Sequence, residues 1–382
     1  MLSKRPPMGF NTWNTFGPDI SADTIKETAD AMAEKGLIDA GYEYLVIDDC
    51  WSEKERDEVT GKIVPDHIKF PNGMNDVSDY VHSKGLKFGM YSCAGVRTCA
   101  DYPGSFDHEF LDAETFAEYG ADLLKYDFCN RPEICNGPLL YKKMNMALRS
   151  CGREILFSAC NWGLDDVNTW IRSAGAHMYR STGDIYDNFV SLRDIFISQL
   201  DNFAYSSPAC FNDIDMLTVG MFGKGNVGRD EEMTEEVYKQ FCTDYKTEFA
   251  LWCMASAPLM LGADIRKLDG EMLDLVKNKN LIRINQDEEA RPPMVIQERD
   301  DKKCLILFKV MSNNEFALMF TNLSENRQRF FLCFEDLGLP YASGKSLELT
   351  DAFTGEKAGV FREKMTEYID AHDSKVYIAK IV

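Results

Sequence analysis

From residue 8 to residue 262 the chain repeats one beat: a short apolar run, a polar knot, then a segment with helical spacing of its apolar residues. The strand-like runs lie at 8–13, 44–48, 87–91, 122–126, 154–159, 177–181, 211–213 and 258–262. Between the first two, residues 21–35 carry Ile25, Ala29 and Met32 on one helical face, with Ser21 placed to cap the start and Gly36 to end it. Residues 75–84 (ending at Gly85), 189–203 and 231–255 show the same periodicity. Strands that alternate with helices run parallel, because a parallel pairing needs a crossover. Eight such units predict an α/β fold, a closed (β/α)8 TIM barrel.

The beat stops after Asn285. Arg291-Pro292-Pro293 breaks the chain, and the runs that follow, 304–310, 316–321, 329–334, 346–349 and 376–381, alternate with period two. Turn residues such as Ser312-Asn313-Asn314 and Thr354-Gly355-Glu356 separate them. This predicts a C-terminal antiparallel β-sandwich. The expected division is a catalytic barrel over 1–288 and a sandwich over 289–382.

Barrel enzymes carry their chemistry at the carboxyl ends of the strands, and here those ends are polar or aromatic. They are Asn11 and Trp13, then Asp48, Asp49 and Trp51, then Tyr91 and Cys93, then Lys125 and Asp127. Cys160 and Trp162, Arg180 and Asp184, and Asp213 and Asp215 follow. Within Leu-Leu-Lys-Tyr-Asp-Phe-Cys-Asn at 123–130, period two aims Lys125, Asp127 and Cys129 at one face. A cation two residues from a carboxylate favours its ionised form, which a nucleophile requires.

The charge balance narrows the partners. With 42 Lys+Arg against 62 Asp+Glu, the net charge of −20 disfavours nucleic acid and anionic membrane. A neutral sugar is compatible with it. No run approaches the ~18 apolar residues of a membrane helix, and the first residues lack the apolar stretch of a signal peptide. The expected location is cytoplasmic, with a secreted form whose leader is removed as the alternative. The twelve cysteines are scattered in apolar runs, as free buried thiols are. The five histidines form no metal-binding spacing, so neither metal nor cofactor is expected.

Several long stretches resemble a known family. They are RPPMGFNTWNTFG at 5–17, GYEYLVIDDCW at 41–51, VHSKGLKFGMYS at 81–92 and PGSFDHEFLDAETFAEYGADLLKYDFC at 103–129. SACNWG at 158–163, RSTGDI at 180–185 and NDIDML at 212–217 continue the match. In these the chain is similar to family 27 glycoside hydrolases, the α-galactosidase (melibiase) group, whose barrel-plus-sandwich fold agrees with the periodicity.

The resemblance implies roles. Asp127 matches the nucleophile and Asp184 the general acid/base of a retaining double displacement, which needs two carboxyls roughly 5–5.5 Å apart. Asp184 should then have a raised pKa, opposed by Arg180 if the two lie close. Asp48 and Asp49 match the carboxylates on galactose O4 and O6, Lys125 a partner of the ring hydroxyls, and Trp13 the aromatic floor. Tyr91, Cys160, Trp162, Arg180 and Met216 match further lining residues. Cys99 and Cys129 match a pair that is disulfide-bonded in secreted relatives.

There are departures from the family pattern. Cys93 stands for an Asp, Ile214 for a Pro, and no cysteine precedes Cys50 to pair with it. Asn161 replaces the Glu of Cys-Glu-Trp and is expected to read the sugar's C2 hydroxyl. The expected partner is an α-galactoside, with a homo-oligomer possible. The alternatives are α-N-acetylgalactosaminidase, β-L-arabinopyranosidase (which lengthens one of the acidic pair to Glu), a metal-dependent barrel lyase or isomerase, and a non-catalytic sugar-binding protein.

Overall fold

The computed structural model describes residues 2–229 and 232–382. Eight parallel strands form one curled sheet: β1 (Met8–Asn11), β2 (Tyr44–Val46), β3 (Lys87–Cys93), β4 (Leu123–Asp127), β5 (Leu156–Cys160), β6 (Met178–Arg180), β7 (Phe211–Asp213) and β8 (Leu259–Leu261). Their order is β7-β6-β5-β4-β3-β2-β1-β8. The last seam is not a ladder. Asp213 Oδ1 accepts the Asp215 N–H at 2.9 Å and Asp215 takes a left-handed φ of 91°, which ends the strand. Four residues past β7, Leu217 makes a single parallel bridge to Leu261 and closes the ring.

Alternation along each strand builds the interior in layers. Tyr44, Val46, Leu123, Leu156, Met178 and Met260 pack together as an apolar plug. One or two pleats further along the same strands come Asp48, Lys125, Asp127, Cys160 and Arg180. Gly89 is required by the plug: a Cβ there would lie 2.7 Å from Val46 Cγ2.

The helices follow their local signals. Ser21 Oγ accepts the Thr24 N–H at 3.2 Å and caps Ala22–Glu34, whose Ile25, Ala29 and Met32 are buried. Gly36 (φ +70°) and Gly85 (φ +83°) stop the first two long helices in the left-handed region that suits glycine. The helix expected over 189–203 is shorter, Phe189–Ser198, with a 3₁₀ turn at Phe203–Tyr205. The expected start at Glu231 lies outside the described residues; the helix there runs Glu235–Ala255, capped by Thr234. Among the described residues, no helix is long and apolar enough to cross a membrane.

The C-terminal strands are β9 (Met294–Arg299), β10 (Cys304–Met311), β11 (Glu315–Asn322), β12 (Gln328–Cys333), β13 (Leu347–Asp351), β14 (Lys357–Phe361), β15 (Lys364–Ile369) and β16 (Ser374–Ile381). They form a six-stranded sheet, β14-β13-β16-β11-β10-β9, and a two-stranded one, β12-β15. All their pairings are antiparallel. The large sheet is buried on both sides. Ile306, Leu318, Phe320 and Leu349 meet Phe330, Leu332, Met365 and Ile369 of the small sheet. Leu305, Leu307, Met319 and Val376 join the core that surrounds the barrel. The strands β9 and β14, not expected from the sequence, have mostly exposed or mixed positions, and in β15, also not expected, burial alternates but Glu367 stands on the inward side and Tyr368 on the outward one.

One cation is buried on the barrel side of the large sheet. Lys309 Nζ donates to Ile284 O at 2.6 Å, Ser256 Oγ at 2.6 Å and Cys253 O at 3.4 Å. Ile284 and Cys253 lie in the last turns of helices Lys279–Asn285 and Glu235–Ala255, so the amine sits at two negative helix ends. Burial pushes its pKa down to about 7. Lys309→Met leaves buried acceptors without a donor and should lower unfolding free energy by about 2–4 kcal/mol. Urea unfolding checks this; a variant as stable as the parent would show that the contact contributes nothing.

Candidate active site

At the carboxyl ends of the strands, one cavity is lined by Trp13, Asn14, Asp48, Asp49, Tyr91, Cys99, Lys125, Asp127, Trp162, Arg180, Asp184, Asp215 and Met216. Its walls carry five carboxylates against one ammonium and one guanidinium, and the contacts among these groups set the chemistry.

The chain leaving β2 ties its own carboxylates into turns. Asp48 Oδ1 accepts the Asp49 N–H at 2.9 Å, and Asp49 Oδ1 accepts the Cys50 N–H at 2.7 Å. Asp49 Oδ2 takes the Ala100 N–H at 3.0 Å. Asp48 Oδ2 receives Asn11 Nδ2 and Lys125 Nζ, each at 2.7 Å. Burial disfavours the charge on Lys125, but Asp48 and Asp127 outweigh it and raise its pKa.

Lys125 and Asp127 share the inward face of β4 as alternation predicted, yet the ammonium bonds Asp48 rather than Asp127. The donors on Asp127 are Tyr91 OH at 3.0 Å to Oδ2 and the Phe128 N–H at 2.9 Å to Oδ1. Burial is the largest influence on Asp127 and raises its pKa. Lys125 through space and the two donors pull it down, Asp48 pushes it up, and it rests at about 6. Cys129 does not continue the inward row: β4 ends at Asp127, and Cys129 is joined to Cys99 by a disulfide. The other ten cysteines, Cys50 included, are free.

Asp184 sits differently. Its side chain is 60% exposed, whereas Asp127 is 6% exposed. Arg180 Nη2 donates to Asp184 Oδ1 at 2.7 Å, and Nη1 to Asp215 Oδ1 at 2.8 Å. The walls of the cleft push the Asp184 carboxyl up, but Arg180 outweighs them and holds it below the usual carboxylate range. In the ligand-free cleft, then, Asp184 is the stronger acid of the two, the reverse of the raised pKa expected for it.

Two expected lining residues lie elsewhere. Trp162 turns through a left-handed φ of 58°, which leaves the indole on the cavity wall. Asn161 beside it is fully buried, with Nδ2 donating to Leu164 O at 2.7 Å, and is not on that wall. Cys160 lies one layer down, in a smaller cavity with Ser158, Arg180, Asp213 and Met216. Burial pushes its thiol well up. The expected list omitted Asn11, which holds Asp48, and Asn14 and Asp215 on the wall. Asn11 and Asp215 were signalled by their places at the ends of β1 and β7, and all three lie within the stretches 5–17 and 212–217 that resemble the family.

Among the described residues, two groups have donor atoms close enough to hold a metal: Cys99, Asp127 and Cys129, and Glu53, Asp66 and His67. In the first the two sulfurs are bonded to each other, which leaves one carboxylate. In the second His67 is exposed and bonded to Glu53.

Comparison with known proteins agrees with this geometry. Residues 5–287 match the family model Melibiase_2, described as alpha galactosidase A. The α-galactosidase of Cyamopsis tetragonoloba is 38% identical over 378 residues, covering 99% of this chain and 86% of the relative. The crystal structure of α-galactosidase I from Mortierella vinacea superposes with a TM-score of 0.88 at 28% identity, over 99% of this chain and 97% of that one. The structure of the Saccharomyces cerevisiae α-galactosidase with raffinose gives 0.86 at 25% identity, over 99% and 98%. With the match running through the whole barrel and on into the sandwich, this chain belongs to the melibiase family of α-galactosidases.

Proposed function

We infer that this protein hydrolyses terminal α-D-galactosyl residues of oligosaccharides or glycoconjugates by double displacement with retention. The observation that carries the reading is Asp127 and Asp184 on one cavity wall, one carboxyl buried under two donors and the other exposed. Asp127 attacks the anomeric carbon as Asp184 gives its proton to the departing oxygen. Asp184 then takes a proton from the water that cleaves the galactosyl ester. Asp48, Asp49 and Lys125 bind sugar hydroxyls, for which a carboxylate-rich wall suits a neutral polyol. The indole of Trp162 on the wall, with Asn161 turned inward, crowds the site against a 2-acetamido group and favours galactose.

The two carboxyls must share one proton to react. The free cleft leaves that proton mostly on Asp127; a bound sugar that removes water from the exposed Asp184 shifts it toward Asp184. The shared proton is present above the lowered pKa of Asp184 and is lost as pH rises through about 6, the value for Asp127. Above that, kcat/KM on a nitrophenyl α-galactoside should fall by about tenfold per pH unit. A profile flat to pH 8 would count against a proton shared by these two groups.

Asp127→Asn should fold normally and lose about 10³-fold or more in kcat, as when a covalent step is removed. Near-parental turnover by the purified variant would remove Asp127 from the mechanism. The first product of the parent should be the α-anomer of galactose, read by time-resolved NMR; β-galactose appearing first would overturn double displacement.

A further inference from the structure

Little holds the acid/base carboxyl itself. Among the described residues, Asp184 bonds only Arg180, and residues 181–188 around it have no regular structure before helix Phe189–Ser198. Its near end is tied at Ser181, whose N–H donates to Asp213 O at 3.1 Å and whose hydroxyl lies against Gln199 and Asn212, and past Asp184 two contacts tie it to other loops and strands. At the first, the Ile185 N–H donates to Asp215 Oδ2 at 2.7 Å. At the second, Asp187 is buried: its Oδ2 accepts the Gly223 N–H at 2.6 Å, and Tyr245 OH lies 2.9 and 3.0 Å from its two oxygens.

The contacts continue into the opposite loop. Tyr245 OH accepts the Phe222 N–H at 2.6 Å, and the Asp187 N–H donates to Val227 O at 3.1 Å. Phe222 and Gly223 take left-handed φ values of 51° and 71° in succession, which turns their two N–H groups onto the Tyr245–Asp187 pair. A Cβ on Gly223 would meet Arg229 O at 2.8 Å, so this turn admits little else. A buried carboxylate costs desolvation energy that an apolar side chain would avoid. What Asp187 secures here is the place of one backbone segment.

We propose that Asp187, with Tyr245, is the positioning residue for the acid/base carboxyl of Asp184. It pins the far end of the 181–188 segment to the Phe222–Gly223 turn. The Asp184 side chain can then leave Arg180 for the glycosidic oxygen while its backbone stays in register with Asp127. The proposal rests on Asp184 being the acid, and it adds a residue that never touches the substrate. Misplacing a reacting group by ~1 Å can cost about 10²-fold.

The test is kcat/KM of the full chain across aryl α-galactosides, from a 2,4-dinitrophenyl to a 4-methoxyphenyl leaving group. Asp187→Ala should lose about 30-fold or more on the methoxyphenyl substrate but less than about threefold on the dinitrophenyl one, which departs without a proton. Tyr245→Phe removes one hydroxyl and should move the same way by about three- to tenfold. Asp187→Asn keeps a carbonyl acceptor for Gly223 and should recover most of the loss. Equal losses on both substrates, or none, overturn the proposal, because a purely structural defect lowers every rate alike. Asp184→Ala on the same series separates the two readings. If it loses equally on good and poor leaving groups, the acid assignment fails and the proposal with it. If it discriminates and Asp187→Ala does not, only the positioning role fails. Should near-UV circular dichroism show Asp187→Ala unfolded, Tyr245→Phe decides, and parental leaving-group dependence in it overturns the proposal.

Discussion

One buried guanidinium sits where this barrel has least backbone support. The ring closes between the seventh and eighth strands through the single bridge at Leu217, and the segment just before it is held by Asp215. Arg180 reaches Asp215 from the neighbouring strand, and Trp252 Nε1 donates to the Asp215 carbonyl at 2.8 Å from the surrounding helix. Isolated buried charges are costly, and this pair is tolerable because Asp215 is saturated by Arg180, the Met216 N–H and the Ile185 N–H. The same guanidinium then reaches up to Asp184. Arg180 therefore links the segment that closes the fold to the charge state of the Asp184 carboxyl.

That sharing explains the order of the two pKa values. Asp127 has no cation in contact, only neutral donors from Tyr91 and Phe128, so burial dominates and lifts it. Asp184 is exposed but touches Arg180, so the guanidinium dominates and lowers it. Lys125 does not reverse this, because its hydrogen bond goes to Asp48 on the cavity wall. Under the proposed mechanism the ligand itself would redistribute the proton, since the exposed carboxyl is the one that a bound sugar would desolvate.

The second domain is joined to the barrel by more than apolar contact. Its large sheet offers Leu305, Leu307 and Met319 to the barrel side and Ile306, Leu318 and Phe320 to the small sheet. Lys309 stands in the first set, capping two barrel helices whose terminal carbonyls would otherwise be buried without donors. His372, on the turn before the last strand, stacks on Phe189 at 3.5 Å and bonds Asp244 and Glu325. Phe189 opens the helix that follows the Asp184 segment, so the sandwich also touches the support of that segment.

What the sequence by itself determined was everything governed by local periodicity. Eight strand-like runs became eight strands, Ser21 and Gly36 bound their helix, and most of the polar and aromatic residues at strand ends, from Trp13 and Asp48 to Asp184 and Asp215, converged on one cavity, because alternation and capping act over a few residues. Side chains whose direction depends on a neighbouring element were decided only in three dimensions. Lys125 was legible as inward-facing, but its choice of Asp48 over Asp127 depends on the distance across β3. Asn161 was read as a sugar contact, and the left-handed turn at Trp162 folded it back onto Leu164. The strands β9 and β14 left no clear pattern, since one-sided burial is what produces alternation, and in β15 the inward Glu367 and outward Tyr368 mask it. Asp187 could not have been distinguished from any polar loop residue, because its partners lie on a turn and a helix more than thirty residues away in the chain.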